Sequence, residues 1–451
     1  MSRTKILFSS LSIKAQNKAL FKTAEKGNFI KYKRFISELP AETAVKSLAR
    51  RDFQDIKLFA ERQQFEAVDF LLSLMKESSS KFLLCENSFW LVKNFAKKGN
   101  FEATEKLLLK FREDTQINII SSERYELITL CSRHNNLEYT LKFLDRLSPR
   151  NIGHIMAQDQ YKILFNFAFK NNLPDFLILL DSYVSDKAKA ITSGHYRILK
   201  KFADLGNMEA IKDLFFYLSE EDVIHALQHE SYYIINRFAE LDMQEDVMFL
   251  IEILPEEKRN YAIFSQEKNI INSFIKSQNF NAIIQILNYL DEANQEEIIT
   301  DNKFAILKAA AHLDRYEEFR DILELLTIPQ KIEALCSSNF SIIRNFAMND
   351  NYEACLFITE EIGVELARLA ISAKNFAVLR QFIALENNIA VGNLLQILSE
   401  ADQILALKEC ANYGLVYNRE TGMIGEDVGI EEGFTHLLGA AEGDMVVSDL
   451  S

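Results

Sequence analysis

Two stretches decide the reading: LVKNFAKKGNFEATEKLLLKF, from Leu91 to Phe111, and IIRNFAMNDNYEACLFITEEI, from Ile342 to Ile362. Each begins with apolar residues at i, i+1, i+4 and i+5 (Leu91, Val92, Phe95 and Ala96; Ile342, Ile343, Phe346 and Ala347), the spacing of one buried helical face. A two-residue polar turn follows, then an aromatic residue and Glu open a second apolar run. Steps of 36 residues link the stretches through Phe29, Phe65, Phe101, Leu137 and Leu173, one step of 35 to Met208, then Gln244, Phe280, Tyr316 and Tyr352. Nine of these ten anchors are large and apolar, so the likeness is a repeat and not a chance pair.

Other columns keep the register. Six residues before the anchors stand Phe59, Phe95, Cys131, Phe167, Phe202, Phe238, Phe274, Ala310 and Phe346. Twelve before stand Phe53, Phe89, Tyr125, Tyr161, Tyr196, Tyr232, Lys268, Phe304 and Phe340. The turns hold Gly27-Asn28, Gly99-Asn100, Asn135-Asn136, Asn171-Asn172, Gly206-Asn207 and Asp350-Asn351. Gly and Asn tolerate the left-handed backbone that ends a helix, and Asn also caps the next one. Glu66, Glu102, Glu138, Glu209, Glu245, Glu317 and Glu353 then meet the positive end of the second helix. Segments such as SEEDVIHALQ from Ser219 and IPQKIEALC from Ile328 predict a short third helix.

Two short helices cannot bury their own apolar faces, so each unit must stack on its neighbours. The expected fold is all-α: an elongated, curved α-solenoid of about ten 36-residue repeats. The boundaries read as an N-terminal lead-in at 1–19, repeats over 20–361, a truncated repeat and helical cap over 362–416, and an acidic flexible tail over 417–451. The truncated unit is placed by Phe376 as anchor, only 24 residues after Tyr352, with Phe382 and Ile383 as its apolar pair.

Composition agrees. Five prolines and fourteen glycines in 451 residues leave little punctuation for a β fold. Cys85, Cys131, Cys336, Cys355 and Cys410 form no CxxC pair, which fits small core residues in a reducing compartment. The net charge of −14 opposes non-specific attraction to nucleic acid. Half of it, −7, lies between Tyr417 and Ser451, where eight acids meet one base, Arg419. The start MSRTKILFSSLSIKAQ has too short an apolar run for a signal peptide, and no stretch is long enough to span a bilayer. Synthesis as a cytoplasmic protein is expected.

The pattern IIxxFAxxGNxEAxxxLL resembles the helical part of ankyrin repeats over about twenty residues of each unit. It departs from them in lacking a T-P-L-H opening and in its 36-residue period, with a third helix expected in place of the β-hairpin. Divergent arrays of this kind are similar to effectors of intracellular bacteria, and the resemblance implies export into a host cell by a type IV machinery reading the C-terminal end. The same end, with seven of the fourteen glycines between Gly414 and Gly443, reads equally as a solubilising tail. Pumilio-type RNA readers share the period, but no recurring base-reading triplet is present and the charge has the wrong sign.

Chemistry is sparse. His225 and His229 have the i, i+4 spacing of helical metal sites without a third ligand, so no metal or other cofactor is expected. Cys131 near His134 suggests a nucleophile pair, yet Cys131 fills a phenylalanine column and reads as core. No phosphate-cradling or hydrolase motif occurs. What remains is a row on the first helix: Lys57, Lys93, Lys200, Asn236, Asn272, Lys308 and Arg344, beside Asn94, Asn166, Lys201, Arg237 and Asn345, broken by Phe165 and Leu130. It reads either as a groove for an acidic protein segment or as an ordinary solvated edge, with a peripheral membrane contact open and the acidic tail a candidate competitor. The expected function is a non-enzymatic scaffold binding protein partners, host proteins if the chain is exported. The alternatives are an enzyme or pseudo-enzyme with a site in loops outside the register, and an RNA-binding repeat protein.

Overall fold

The structure, a computed structural model, describes residues 8–49, 52–412, 415–418 and 423–426, and almost all of these are helical. The chain divides into two compact bodies, Met1–His229 and Glu230–Ser451. Each body is a row of one three-helix repeat, in which a helix A ends at a tight turn, helix B follows, and a short helix C leads to the next helix A. Helix B starts on the anchor residue throughout: Phe29–Ser37, Phe65–Ser73, Phe101–Leu108, Leu137–Leu144, Leu173–Tyr183 and Met208–Phe215 in the first body (repeats 1 to 6). In the second body the starts are Gln244–Ile253, Phe280–Leu287, Tyr316–Glu324, the helix opening at Tyr352, and Asn388–Ile397 (repeats 7 to 11).

The turn explains this regularity. The residue two before each anchor has positive φ, from Asn135 and Asn171 at 55° to Gly99 at 80°, and includes Asp242, Asp314 and Asp350. The next backbone N–H reaches back to the carbonyl six before the anchor, as Asn100 to Phe95 at 2.9 Å and Asn351 to Phe346 at 3.0 Å, which closes helix A with a Schellman turn. The residue just before the anchor is Asn in eight of the eleven repeats, and its Oδ1 accepts the N–H three residues on, as Asn100 from Ala103 at 3.1 Å and Asn207 from Ala210 at 2.9 Å. Its amide nitrogen is left over and is used between repeats. Asn172 donates to Asn135 at 2.9 Å, Asn207 to Asn171 at 2.7 Å, Asn279 to Asp242 at 3.0 Å, Asn351 to Asp314 at 2.7 Å and Asn387 to Asp350 at 2.8 Å.

Helix C meets the next helix A through a second left-handed device. One extended residue is followed by three with positive φ: Glu123-Arg124-Tyr125, Asp159-Gln160-Tyr161, Gly194-His195-Tyr196, Asn302-Lys303-Phe304 and Ser338-Asn339-Phe340. Each left-handed L-residue costs about 1–2 kcal/mol. The third position is the aromatic column, and Tyr161, Tyr232 and Phe304 are buried there. Removing one such ring from water returns about 1.5–3 kcal/mol, which offsets much of the strain and explains why the column is aromatic.

The core runs along the repeat axis of each body. Phe59, Phe95, Cys131, Phe167 and Phe202 in the first, and Phe238, Phe274, Ala310, Phe346 and Phe382 in the second, are all fully buried. Anchor rings meet the helix A phenylalanine of the following repeat edge to face: Phe29 with Phe59, Phe65 with Phe95, Tyr316 with Phe346 and Tyr352 with Phe382, at 5.9–6.3 Å between centroids. This recurring contact is why the anchors are large.

Three expectations change. Helix A of repeat 1 begins at Ile13, inside the stretch assigned to a lead-in, while residues 1–7 lie outside the described residues. Phe376 is not an anchor: its φ of 59° places it third in a left-handed linker, Lys374-Asn375-Phe376. Phe382 is then the helix A phenylalanine, Glu386-Asn387 the turn, and helix B starts at Asn388, a full 36 residues after Tyr352. Repeat 11 is therefore complete, with helix C at Glu400–Asn412. The confusion has a physical basis, since linker and turn both need left-handed backbone and so draw on the same Asn-aromatic pairs. Finally, part of the expected tail is ordered: β1 (Leu415–Asn418) pairs antiparallel with β2 (Met423–Glu426), Tyr417 facing Ile424. The rest of that tail, 419–422 and 427–451, lies outside the described residues.

The linker geometry sets two glycines apart. Gly194 has φ of +61°, and a Cβ there would sit 2.6 Å from Gln160 Oε1, whereas a Cβ on Gly153 meets nothing within 4 Å. Gly194→Ala is expected to cost about 1–2 kcal/mol, and Gly153→Ala to gain about 0.5–1 kcal/mol. Thermal melts read by circular dichroism would show shifts of opposite sign; shifts of the same sign would remove the left-handed assignment at 194.

Candidate functional site

Breaking a helix with three left-handed residues leaves carbonyls and polar side chains at the linker without helical partners. The first-helix row expected to face a partner is largely occupied with them. Lys57 Nζ lies 2.8 Å from Glu86 Oε1, and Lys93 Nζ lies 2.8 Å from Glu123 Oε1 and 3.4 Å from Glu126 Oε2. Asn236 donates to the Ser231 carbonyl at 2.9 Å, Lys308 to Ser338 Oγ at 2.6 Å and Arg344 to the Ser338 carbonyl at 3.3 Å. The adjacent column ties helix A to the repeat before it: Asn94 donates to the Ala60 carbonyl at 2.9 Å, Asn166 to Ser132 Oγ at 2.7 Å and Asn345 to the Lys308 carbonyl at 3.5 Å. Lys201 pairs with Asp204 at 3.7 Å and Arg237 with Glu240 at 2.7 Å, while Lys200 and Asn272 are half-buried.

The expected open ladder therefore fails at Lys93, Asn166, Asn236 and Lys308, which are buried. They form a polar seam between repeats, where the low dielectric makes each bond matter more. Burial, with Lys303 nearby, lowers the pKa of the Lys308 ammonium.

The break in the row is more informative than the row. In repeat 5 the seam position is Phe165, and one helical turn later comes Phe169, 54% exposed. Their ring centroids are 6.4 Å apart. Arg197 lies over the Phe165 ring at 4.6 Å and Lys162 at 5.1 Å; Lys201 lies over Phe169 at 4.8 Å and Lys170 at 5.8 Å. Arg197 is further fixed by donating to the carbonyls of Asp159, at 2.8 Å, and Gln160 in the preceding linker. Burial first, and then the positive charges of Arg197 and Arg133, lower the pKa of Lys162. Four cations thus lie over two phenyl rings, with Arg133 close enough to act on Lys162, and with Asp159 and Asp204 among the nearby carboxylates. In the sequence Lys200 and Lys201 are legible as part of this edge, whereas Phe165 reads as an interruption. The signal for the cluster is Lys162 and Arg197, which occupy the same repeat position thirty-five residues apart.

The other candidate chemistry dissolves into packing. Cys131 is fully buried and burial pushes its thiol pKa well up, while His134 Nε2 is bonded to the Lys97 carbonyl at 3.2 Å and its ring meets Phe101 edge-on. His229 rests against His195 and Tyr196, at 5.5 and 5.1 Å between ring centroids, and His225 is exposed. Among the described residues no three His, Cys, Asp or Glu side chains converge as a metal site, and no helix is long and apolar enough to cross a membrane.

No family model and no curated protein matches the chain. Among solved structures it is similar to the pentatricopeptide repeat protein PPR10 from maize, at 11% identity and a TM-score of 0.26, over 98% of this chain and 70% of that one. It is also similar to a circular tandem repeat protein with novel repeat topology, at 14% identity and a TM-score of 0.14, over 89% and 83% of the two chains. Superpositions this loose carry no argument, and the repeat assignment rests on the geometry above.

The seam and the buried thiols each make an expectation. Lys93→Ala removes a buried ammonium from Glu123, which is half exposed, and from Glu126, which keeps Lys97 at 3.3 Å, and is expected to cost about 1–2 kcal/mol, below the range for leaving a buried ion unpaired. Lys98→Ala, on the exposed end of the same helix A, should change stability by less than about 0.5 kcal/mol; equal losses on denaturant titration would refute the seam. A thiol reagent at mildly alkaline pH is expected to label exposed Cys85 rapidly. Cys131, Cys355 and Cys410, the last with its pKa raised to about 11, should react only after unfolding. Rapid labelling of Cys131 would return it to consideration as a nucleophile.

Proposed function

We propose that this chain is a non-catalytic helical-repeat scaffold that holds a protein partner along the helix A edge of repeats 4 to 6. One observation carries the reading: a chain of net charge −14 concentrates Lys162, Lys170, Arg197 and Lys201 over Phe165 and the exposed Phe169, with Arg133 acting on Lys162. Cations bound to ring faces are held in place before a ligand arrives, which lowers the ordering cost of association. An exposed ring beside fixed charges is also the composition typical of interface hot spots. Of the residues first expected to contact the partner, Lys200 and Lys201 belong to this edge. Lys57, Lys93, Asn94, Asn166, Asn236, Lys308, Arg344 and Asn345 serve the seam, and Arg237 is paired within its own helix.

The likeness to ankyrin helices, and the export into a host cell that it implies, rest on sequence alone. Residues 427–451, which would carry the export signal, lie outside the described residues. An enzyme with a site outside the repeat register gains no support from the thiols or histidines described above.

The test places a photo-crosslinking amino acid at Lys170, and separately at Lys98, in the full-length chain expressed in cells. The expected outcome is an adduct at 170 that protease removes and nuclease does not, absent at 98. A nuclease-sensitive adduct, equal adducts at both positions, or none at either would each overturn the reading.

A further inference from the structure

We infer that the Phe165–Phe169 shelf recognises an extended acidic peptide bearing an aromatic or large apolar side chain among its carboxylates. The inference rests on the scaffold reading and specifies the partner's chemistry.

Charge is the first argument. Lys162, Lys170, Arg197 and Lys201 lie over the two rings, Arg133 acts on Lys162, and Asp204 pairs with Lys201 at 3.7 Å. The local excess is positive in a protein whose overall charge is strongly negative. An anion arriving beside Lys162 offsets the burial and the positive charges of Arg197 and Arg133 that already disfavour its ammonium.

The rings supply the second argument and select the class of anion. Single-stranded nucleic acid binds by stacking bases on open aromatic faces. Here both rings have ammonium or guanidinium groups over them, Arg197 and Lys162 on Phe165, Lys201 and Lys170 on Phe169. A base would have to displace those cations, whereas carboxylates add to them directly and to the positive rim of the rings. A polyphosphate chain would also meet the repulsion of the whole protein, to which a short peptide with a few carboxylates is less subject.

Spacing is the third argument. The ring centroids are 6.4 Å apart, and alternate side chains of an extended chain, which share a face, repeat at about 6.4–6.8 Å. A peptide laid along helix A can therefore address both rings at once. The exposed part of Phe169 gives its apolar side chain a surface to cover.

The experiment titrates a fluorescent peptide of repeated Glu-Glu-Phe with the full-length chain at low salt. Parallel titrations use Gln in place of Glu, Ala in place of Phe, and an oligouridylate of equal length. The Glu-Glu-Phe peptide is expected to bind tightest, with each replacement weakening it about tenfold and the oligouridylate weaker still. Lys162→Glu combined with Arg133→Glu, and separately Phe169→Ser, should each weaken binding about tenfold, while Lys98→Glu stays within about twofold. Circular dichroism checks that the variants fold; should the double variant unfold, Lys170→Glu alone, at an exposed position, is expected to weaken binding about threefold. Absence of peptide binding, indifference to these variants, or tighter binding of oligouridylate would overturn the inference. A protease-sensitive adduct at position 170 without peptide binding would leave the scaffold reading standing and remove only the chemistry assigned to its partner.

Discussion

Everything in this molecule depends on a chain reversing direction cheaply after helix A. The residue two before each anchor takes left-handed backbone, and the asparagine that follows it in most repeats caps helix B, and in five of them performs a second task with the same side chain. Its oxygen satisfies a free N–H at the start of helix B, and its nitrogen bonds to the turn of the repeat before. A cap of this type contributes roughly 1 kcal/mol locally. Here the same group also fixes the rise from one repeat to the next, so that local and long-range preferences agree. Edge-to-face contacts between anchor rings and the following phenylalanines then fill the interior at the same interval.

The linker before helix A is the counterweight. Its left-handed residues are mostly not glycine, and they persist because burial of the third, aromatic residue, as at Tyr161, Tyr232 and Phe304, and the polar seam hold them. This assigns the lysines and asparagines of helix A a structural task in most repeats. Where that task is dropped, at Phe165, the edge becomes free to acquire another one. The rings of repeat 5, clad by cations of repeats 5 and 6, are therefore a local departure from the repeat's own rule, and departures from internal consistency are where function is expected.

Much of this could be read from the residues. The period, the helix A and helix B faces, the turn asparagines and the buried phenylalanine column follow from spacing alone, because a 36-residue rhythm of apolar and turn residues has few physical solutions. Three things could not be read. The aromatic column at Tyr125, Tyr161 and Phe304 is visible, but its left-handed backbone is not, since aromatic residues seldom adopt it. Asn375-Phe376 imitated a turn and anchor, which hid the eleventh repeat. The seam was mistaken for a free surface because columns show which residues recur and not which way they point. Lys93 and Lys170 look alike in the sequence, yet one is buried against two glutamates and the other lies open beside a phenyl ring.

One irregularity has a use beyond the protein itself. The step from Leu173 to Met208 is a residue short, yet the linker Gly194-His195-Tyr196, helix A and the anchor at Met208 all keep their roles. The missing residue is taken up between Tyr183 and Lys187, where helix B gives way to helix C. Helix B there runs on to Tyr183 and helix C starts late, at Lys187, yet everything beyond is unshifted, so this connection is a permissive splice point, where a fluorescent or affinity module can be inserted while the surrounding array keeps time.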